Sequence, residues 1–306
     1  MYTVSGGVVT ERFPDQWLMV TPISVETVPF VHAWPRAKAL QISTVGCNLS
    51  CPGCVSEVLV RDPALMGAGL TPRDPESVIR KAGEEQCQGI IFCLNEPAVS
   101  VPSFLRVARM ARERGLFVGC STNGYLSDSS LDLLVPVLDM VNVGLKGRDP
   151  RYLRSCGVTD PRRAMETISR FLAAGVHVEV ALMHATGRDE ETISQAREVI
   201  ALSDRIPIQV MRCMAFGDLG ADDEPSIPES ERVCREIRSF APHVYLFNAP
   251  GSGYLSSLCP VCGGVISIRE VYGPMGCRPL SFREGGICTC GYRLPITGTV
   301  QAERYE

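Results

Sequence analysis

Short apolar runs rich in β-branched residues alternate along this chain with longer stretches of helical periodicity. The runs that predict strands are residues 39–45, 89–94, 116–122, 140–145, 176–183 and 206–211. The stretches that predict helices are residues 75–86, 103–114, 129–138, 160–174, 190–202 and 228–240. Strands separated by about 10–15 residues of helix indicate βαβ units and a parallel sheet. The pattern therefore predicts an α/β fold, a partial (β/α)6 barrel over residues 37–249.

The two ends of the chain depart from this alternation. Residues 1–36 carry four prolines and two short apolar runs, at 6–10 and 17–20, and predict an N-terminal β extension. Residues 250–306 are rich in glycine and cysteine and show little helical periodicity. We expect this last segment to form a small Cys-rich, metal-binding appendage.

The composition of the chain argues against some kinds of binding partner and favours others. The chain has 306 residues, is 45% hydrophobic, and has a net charge of −4 with a pI near 5.7. An acidic balance argues against a nucleic-acid partner, which would require clustered Lys and Arg. Fourteen cysteines without a signal-peptide pattern predict a reducing, cytoplasmic location and metal binding. No stretch approaches the ~20 apolar residues that span a bilayer, so we expect no membrane association.

Three cysteines follow the first predicted strand, with the spacing C-x3-C-x2-C. They are Cys47, Cys51 and Cys54 in residues 46–54, here called the cysteine loop. Three thiolates can hold three irons of a [4Fe–4S] cluster and leave the fourth iron open. The alternative is a zinc loop, but zinc would require a fourth ligand nearby. No histidine or further cysteine lies between Trp34 and Cys87, so the cluster is the favoured interpretation.

The spacing and its neighbours resemble the radical S-adenosylmethionine (SAM) superfamily. The resemblance implies that the open iron chelates the amino and carboxylate groups of SAM. It also implies that reduction cleaves SAM to methionine and a 5′-deoxyadenosyl radical. This chain departs from the superfamily at Gly53, where an aromatic or hydrophobic residue is common. Adenine cannot stack on a side chain at that position.

Polar residues follow the second and third predicted strands, where parallel α/β folds bind ligands. The segment 94–97, Leu-Asn-Glu-Pro, stands where the superfamily has Gly-Gly-Glu-Pro, and it implies that Asn95 and Glu96 bind SAM. The segment 121–125, Ser-Thr-Asn-Gly-Tyr, is similar to a stretch that lines the SAM pocket and implies roles for Ser121 and Asn123. The alternative for both segments is an ordinary turn, which Asn-Gly favours by itself.

A basic residue follows the fourth predicted strand, and another follows the sixth. Lys146 follows Gly144, at a place where the family usually has Asp-x-Lys, so the aspartate is absent here. Lys146 is expected to contact SAM or substrate, the alternative being an exposed lysine. Arg212 can clamp a carboxylate through two hydrogen bonds and is expected to contact SAM, the alternative being a surface ion pair. No residue is assigned a catalytic role.

A second cysteine set lies in the C-terminal segment. Cys259 and Cys262 form a C-P-x-C-G knuckle, and Cys288 and Cys290 form a second knuckle that is one spacer residue short. Four thiolates would give a tetrahedral zinc site, and Cys277 can replace one ligand of the short knuckle. An auxiliary iron–sulfur cluster is the competing interpretation.

The knuckles, and the segment 31–35 before the first strand, resemble the AmmeMemoRadiSam-type relatives of pyruvate formate-lyase activating enzymes. This resemblance implies hydrogen abstraction from a protein or peptide substrate, as in the activation of glycyl-radical enzymes, with a reduced flavodoxin or ferredoxin-type protein as electron donor. One alternative is a cobalamin-dependent C-methyltransferase that modifies a protein residue, such as one in methyl-coenzyme M reductase. No separate cobalamin domain and no D-x-H-x-x-G motif is present, but a corrinoid held by barrel and tail stays open. The alternative from another class is a non-catalytic iron–sulfur electron-transfer protein.

Overall fold

The computed structural model describes residues 1–61, 69–272 and 276–300; the last six residues of the predicted appendage lie outside these ranges. The strands are β1 (Tyr2–Ser5), β2 (Val8–Glu11), β3 (Gln16–Trp17), β4 (Met19–Ser24), β5 (Lys38–Ser43), β6 (Thr71–Pro72), β7 (Gly89–Phe92), β8 (Phe117–Thr122), β9 (Met140–Leu145), β10 (His177–His184), β11 (Ile208–Arg212), β12 (Val244–Phe247), β13 (Ser257–Leu258), β14 (Val265–Tyr272) and β15 (Gly276–Phe282). The helices are α1 (Glu57–Arg61), α2 (Pro75–Glu84), α3 (Val101–Glu113), α4 (Asp128–Leu134), α5 (Pro150–Ser155), α6 (Arg163–Ala173), α7 (Asp189–Leu202) and α8 (Ile227–Arg238).

The central sheet has eight strands in the order β12-β11-β10-β9-β8-β7-β5-β4. Strands β5 and β7 to β12 are parallel, and β4 pairs antiparallel with β5 at one edge. The predicted α/β fold with a mostly parallel sheet is confirmed. The predicted count of six strands is one short, because β12 adds a seventh parallel strand after α8. This strand has only four residues, all buried, and is followed by the Cys-rich segment rather than by a further stretch of helical periodicity.

The outward faces of the strands carry the main core against the helices. Leu40, Ile90, Val118 and Val141 are fully buried there, each on a different strand. Burying side chains of this kind contributes roughly 1.5–3 kcal/mol each. Among the helices that the structure describes, none is long and apolar enough to cross a bilayer.

The inward faces of the strands enclose residues 25–37, here called the plug. Val28 and Phe30 of the plug pack with Ile91 and Met140, which point inward from β7 and β9. The amide of Asn142, also on β9, donates to the carbonyl of Pro29 at 3.2 Å. The segment between β4 and β5 therefore fills part of the barrel interior. The strands predicted for residues 1–36 are present in part, and β4 extends the main sheet.

One carboxylate on β10 holds the plug from inside the barrel. Glu179 is fully buried and accepts hydrogen bonds from the backbone N–H groups of Val31 and His32, at 3.0 and 2.8 Å. It also accepts from the Gln209 amide and contacts the His177 ring at 3.0 Å. Burying a charge is costly unless it is hydrogen-bonded, and these hydrogen bonds offset the cost of burying the Glu179 carboxylate. The amino-terminal half of the barrel is thereby closed, and the carboxyl-terminal half is left for a site.

The described part of the C-terminal segment, residues 250–272 and 276–300, here called the tail, lies against the plug and the open edge of the sheet. Arg269 donates to the carbonyl of Val31 at 2.9 Å, and Thr27 donates to the carbonyl of Cys277 at 2.9 Å. Thr297 pairs with the plug through backbone hydrogen bonds on both sides of Ala33. The tail therefore covers the side of the barrel where β12 and β4 do not meet.

Replacing Glu179 by Ala leaves two buried N–H groups of the plug and one buried amide without an acceptor. We expect Glu179→Ala to lower the free energy of unfolding by about 2–5 kcal/mol, measured by denaturant unfolding followed by circular dichroism. The matched control is Glu113→Ala on the exposed face of α3, with an expected change within about 0.5 kcal/mol. Equal stability of the two variants would contradict the role given to Glu179.

Candidate functional site

The carboxyl ends of the seven parallel strands meet around one cavity of about 350 Å³. All three thiols of the cysteine loop line this cavity: Cys47, Cys51 and Cys54. Five of the six residues that the sequence predicts around SAM line it as well: Asn95, Glu96, Ser121, Asn123 and Lys146. The topology thus brings together residues that are separated by up to about a hundred positions in the chain.

Asn95 shapes the start of the cysteine loop. Its side-chain oxygen accepts from the backbone N–H of Thr44 at 2.9 Å. Its side-chain nitrogen donates to the carbonyl of Gly46 at 3.1 Å and to the Thr44 hydroxyl at 2.9 Å. Gly46 has a φ of 91°, a left-handed conformation that glycine adopts without strain. The Asn95 side chain is therefore engaged by the loop, which favours a positioning role over the expected contact with SAM.

Cys47 is the thiol of the loop that contacts Asn123, the residue after β8. Its sulfur accepts from the backbone N–H of Leu49 at 3.4 Å and contacts the Asn123 amide nitrogen at 3.6 Å. Burial raises the pKa of Cys47 to about 11, and the negative charge of Glu96 adds to the rise. N–H groups that donate hydrogen bonds to a cluster sulfur are one means by which proteins set the reduction potential of an iron–sulfur cluster.

Asn123 joins the end of β8 to the cysteine loop. Its amide nitrogen donates to the side-chain oxygen of Asn48 at 2.7 Å, and its amide oxygen accepts from the N–H of Tyr125 at 2.9 Å. Asn48 in turn donates to the carbonyl of Tyr125 at 2.8 Å. Gly124 follows, at a φ of 79°, where a β-carbon would lie 3.0–3.2 Å from Val143 and Ala164. The turn therefore requires its glycine and packs against the loop that carries the thiols.

Glu96 is the buried carboxylate of the cavity, with 4% of its surface exposed. It accepts from the Thr122 hydroxyl at 2.7 Å, the Asn123 N–H at 2.8 Å and the Ala98 N–H at 3.3 Å. Burial raises the pKa of Glu96, and these donors offset part of the rise. An ionised carboxylate has about four acceptor positions, so one remains for a ligand cation.

Lys146 and Gly144 at the end of β9 are spatially linked. A β-carbon added to Gly144 would lie 3.1 Å from the Lys146 ammonium nitrogen. The ammonium therefore occupies space beside the position where the family usually carries an aspartate side chain. The positive charge of Lys146 also lowers the pKa of Glu96, although its effect is smaller than those of burial and of the hydrogen bonds.

Arg212 is the predicted SAM contact that does not reach the cavity. Its guanidinium pairs with Glu224 at 2.6 Å and donates to the carbonyls of Pro225 and Asn248 at 2.9 and 2.7 Å. The expectation of a SAM contact at Arg212 is not supported, because these acceptors hold the guanidinium away from the lining. The neighbouring Met211 lines the cavity instead.

The donor set of the cavity fits a [4Fe–4S] cluster with one open iron. Three of the four thiols that line it belong to the cysteine loop. The fourth, Cys93, packs in the apolar cluster formed by Val28, Phe30 and Ile91, in surroundings that disfavour a thiolate. Three thiols on one loop, next to a buried carboxylate and an ammonium, can hold a cluster and a zwitterionic ligand beside it.

Sequence reasoning missed the other half of the cavity. Met183, Phe247 and Asn248 line it from the ends of β10 and β12, and plug residues Thr27 to Pro29 line it from below. The alternation of helix and strand, continued past α8, could have predicted β12 and with it Asn248. The plug gives no such signal, because an irregular, proline-containing segment is typical of an exposed loop.

The tail cysteines converge on a single point. The sulfurs of Cys259, Cys262, Cys288 and Cys290 all lie within 4.8 Å of one another. Gly264 permits this, because a β-carbon there would lie 3.2 Å from the sulfur of Cys288. A tetrahedral ion with metal–sulfur bonds of about 2.3 Å requires sulfurs about 3.8 Å apart. The four thiols therefore form a Cys-rich metal site.

Cys277 is not part of this set. Its thiol is buried beside Val31, Tyr245 and Leu255, and burial raises its pKa to about 12. The short spacing of Cys288 and Cys290 did not prevent both thiols from reaching the site. The expectation that Cys277 replaces one of them is therefore not supported.

The tail site and the cysteine loop lie at opposite ends of the strands. The Tyr292 hydroxyl, near the tail site, contacts the ring of His243, which directly precedes β12. Thr297 contacts the ring of His177, the first residue of β10. The eight residues of β10 span ~26 Å, and the cavity lies past their far end. The four thiols of the tail site are therefore remote from the cavity.

Comparison with known proteins identifies the family. The family model described as the Radical SAM superfamily matches residues 42–202, more than half of the chain. The uncharacterized protein MJ0808 of Methanocaldococcus jannaschii is 26% identical over 263 residues, covering 83% of this chain and 76% of the relative. The matched family region begins in β5 and ends with α7, and so contains the cysteine loop.

Two solved structures share the fold. Streptococcus suis SuiB bound to its precursor peptide SuiA superposes with a TM-score of 0.54 at 13% identity, over 68% of this chain and 48% of that chain. A radical SAM methyltransferase from Sphaerobacter thermophilus superposes with a TM-score of 0.50 at 17% identity, over 74% of this chain and 70% of that chain. This chain thus spans about half the length of SuiB. At these identities the likeness concerns the fold alone.

Removing one thiol of the cysteine loop tests the cluster assignment. We expect Cys51→Ala to lower the iron content of anaerobically reconstituted protein from ~4 per chain to a small fraction of that value, because one iron loses its ligand. The visible absorption that arises from iron–sulfur charge transfer is expected to weaken in parallel. Iron content is measured after desalting.

The matched control is Cys234→Ala, which removes a fully buried thiol of the outer core. This variant is expected to retain the iron content of the unmodified protein. Full iron retention in Cys51→Ala would contradict the assignment of the cysteine loop.

Proposed function

The chain belongs to the radical SAM superfamily, and from that premise we propose that it takes a hydrogen atom from a peptide or protein substrate. The observation that carries the proposal is the convergence of three loop thiols, Glu96 and Lys146 on one cavity. When bound there, a [4Fe–4S] cluster and SAM supply a 5′-deoxyadenosyl radical that abstracts hydrogen.

The residues of the cavity have separate roles in this proposal. Cys47, Cys51 and Cys54 hold the cluster. Glu96 accepts from the ammonium of SAM, a charge-assisted hydrogen bond that is strong in a partly dry site. Asn95 and Asn123 fix the shape of the cysteine loop through the hydrogen bonds described above. Lys146 and Ser121 face the bound ligands from β9 and β8.

A peptide substrate is supported by the way the cavity opens. The plug closes it from below and the tail covers the side of the barrel, so access is from the carboxyl ends of the strands. SuiB, which shares the fold, has been solved with a precursor peptide bound. We propose a reduced flavodoxin or ferredoxin-type protein as electron donor, in a reducing cytoplasm.

Methyl transfer to a protein residue is the second candidate. The methyltransferase from Sphaerobacter thermophilus shares the fold, and Gly144 replaces the aspartate usual in the activating-enzyme branch. A corrinoid would have to be held at the barrel mouth, because the four metal-binding thiols of the tail lie near the amino ends of β10 and β12. Cobalamin bound after reconstitution, detected by its visible spectrum, would favour this candidate over glycyl-radical activation.

For the tail we propose a structural zinc ion. Four sulfurs within 4.8 Å of one another suit one tetrahedral ion better than a cluster whose irons each take a separate thiolate. The distance from the cavity also argues against an auxiliary cluster, since electron transfer to SAM is favoured by proximity. The tail therefore stabilises the plug and takes no part in the reaction.

Anaerobic reconstitution followed by dithionite reduction tests the enzyme proposal. We expect 5′-deoxyadenosine to form from SAM, measured by liquid chromatography. We also expect Glu96→Gln to weaken SAM binding to the unreduced protein by about 10- to 100-fold, because a charge-assisted hydrogen bond is lost. Equilibrium dialysis measures this affinity.

Glu113→Gln, on the exposed face of α3, is the control, with unchanged affinity expected. Iron content confirms that each variant retains its cluster. No 5′-deoxyadenosine from iron-loaded protein would contradict the proposal and favour an electron-transfer protein.

The tail proposal is tested by metal analysis of the purified protein. We expect Cys288→Ser to lower zinc from about one ion per chain to near zero. Cys277→Ser, a matched change at a thiol outside the set, is expected to keep its zinc. A variant without the three loop cysteines that still carries iron and labile sulfide would contradict zinc and indicate an auxiliary cluster.

A further inference from the structure

Two surface segments of opposite charge contact the cysteine loop from outside the cavity. The stretch 148–163 contains five arginines and two aspartates as its charged residues, in a chain whose net charge is −4. The stretch 216–224 contains three aspartates, one glutamate and no basic residue. Leu219 of this acidic stretch occupies the space where a β-carbon of Gly53 would lie. A charged partner that approaches the loop is therefore attracted by one segment and repelled by the other.

The basic stretch reaches the cysteine loop through helix α5. Cys156, directly after this helix, accepts at its carbonyl from the backbone N–H of Ser50 at 2.8 Å. Leu153 and Cys156 also form a small apolar cluster against which Cys51 packs. One face of α5 therefore contacts a thiol of the loop, while residues on its other face are exposed to solvent.

The exposed residues of α5, here called the basic face, are Pro150, Arg151, Arg154 and Ser155. Arg151 and Arg154 are three positions apart and are therefore neighbours on the helix surface. Within the described part of the chain, neither forms an ion pair with a carboxylate. The other three arginines of the basic stretch are each paired: Arg148 with Glu198, Arg162 with Asp160, and Arg163 with Asp128. The basic face thus presents two guanidinium groups that are not neutralised by a described residue.

The proposed reaction requires an electron from another protein. The reduced donor loses one electron, the oxidised cluster gains it, and no bond forms or breaks. Because the rate of such a transfer falls steeply with distance, the donor has to dock where a cluster ligand lies close to the surface. Weak electron-transfer encounters bury less than about 1,200 Å² in total, so a short helix and its surroundings provide enough area.

We propose that the basic face is the docking surface of the electron donor, an acidic protein whose carboxylates pair with Arg151 and Arg154. The inference rests on the proposed function and assigns the surface that binds its electron donor. Arginine binds carboxylates through two parallel hydrogen bonds, which orients the donor as well as attracting it. Complementary charge raises the rate of encounter more than the affinity, which suits a donor that leaves after each transfer. The acidic stretch 216–224 repels the same protein and so restricts its direction of approach.

Anaerobic rapid mixing measures the effect of docking on electron transfer. Cluster-loaded protein is mixed with a reduced acidic flavodoxin and, in parallel, with a reduced acidic ferredoxin. The visible absorption of each donor reports its oxidation and gives a second-order rate constant. We expect at least one donor to show a rate constant that falls about tenfold or more between about 0.05 and about 0.5 M salt, because salt screens the attraction.

Charge reversal locates the docking surface. The double variant Arg151→Glu/Arg154→Glu is expected to lower the rate constant at low salt by about tenfold or more and to lose the decrease with salt. The matched control is Arg109→Glu/Arg235→Glu, an equal charge change at exposed positions of α3 and α8. This control is expected to keep most of the rate constant and its salt dependence.

Binding of the donor is measured separately, without turnover. Fluorescently labelled, oxidised flavodoxin or ferredoxin is titrated with each unreduced, cluster-loaded variant, and its anisotropy is followed. We expect the double variant at Arg151 and Arg154 to bind about tenfold more weakly than the control. Reduction by dithionite, which needs no protein docking, is expected to reach the same extent in all variants.

Equal rate constants for the double variant and its control would overturn the proposal, and so would the failure of both acidic donors to reduce the cluster. Self-association that the double variant abolishes, measured by sedimentation velocity, would assign the basic face to a second copy and overturn it as well. Formation of 5′-deoxyadenosine under dithionite reports on the proposed function separately. Its presence together with unaltered donor kinetics would therefore refute the docking surface and leave the enzyme proposal standing.

Discussion

A fully buried carboxylate inside the barrel, that of Glu179, governs the arrangement of this molecule. It binds the backbone N–H groups of Val31 and His32 and so holds an irregular segment within the ring of strands. The plug fills the amino-terminal half of the barrel interior. The same segment forms the floor of the cavity at Val28 and Pro29. The depth of the site is therefore set by one hydrogen-bonded charge on β10.

The two cysteine sets occupy opposite ends of this framework and have different consequences. The cysteine loop lies beyond the carboxyl end of β5, where the Asn123 amide reaches the sulfur of Cys47. The tail site lies near the amino ends of β10 and β12 and is joined to the plug through Thr297. The first set is placed for chemistry in the cavity. The second is placed to keep the plug, and hence the cavity floor, in position.

Much of the fold could be predicted because parallel α/β units leave a strong periodic pattern. The three loop thiols and Glu96 were recognisable because the spacing of cysteines and a carboxylate after a strand have direct chemical meaning. Arg212 could not be excluded from sequence, since its partner Glu224 lies in an irregular segment without periodicity. Asn248 was missed because β12 is short and no helical stretch follows it to mark another repeat of the alternation. The plug was missed because its burial depends on hydrogen bonds from distant strands, which no local pattern reveals.

We propose that the cysteine loop holds a cluster with one iron open to SAM. Electron paramagnetic resonance of the reduced, reconstituted protein, recorded with and without SAM, tests it most directly. The signal of the reduced cluster is sensitive to the ligands of each iron. We expect added SAM to change the g values of this signal. Identical spectra with and without SAM would contradict it.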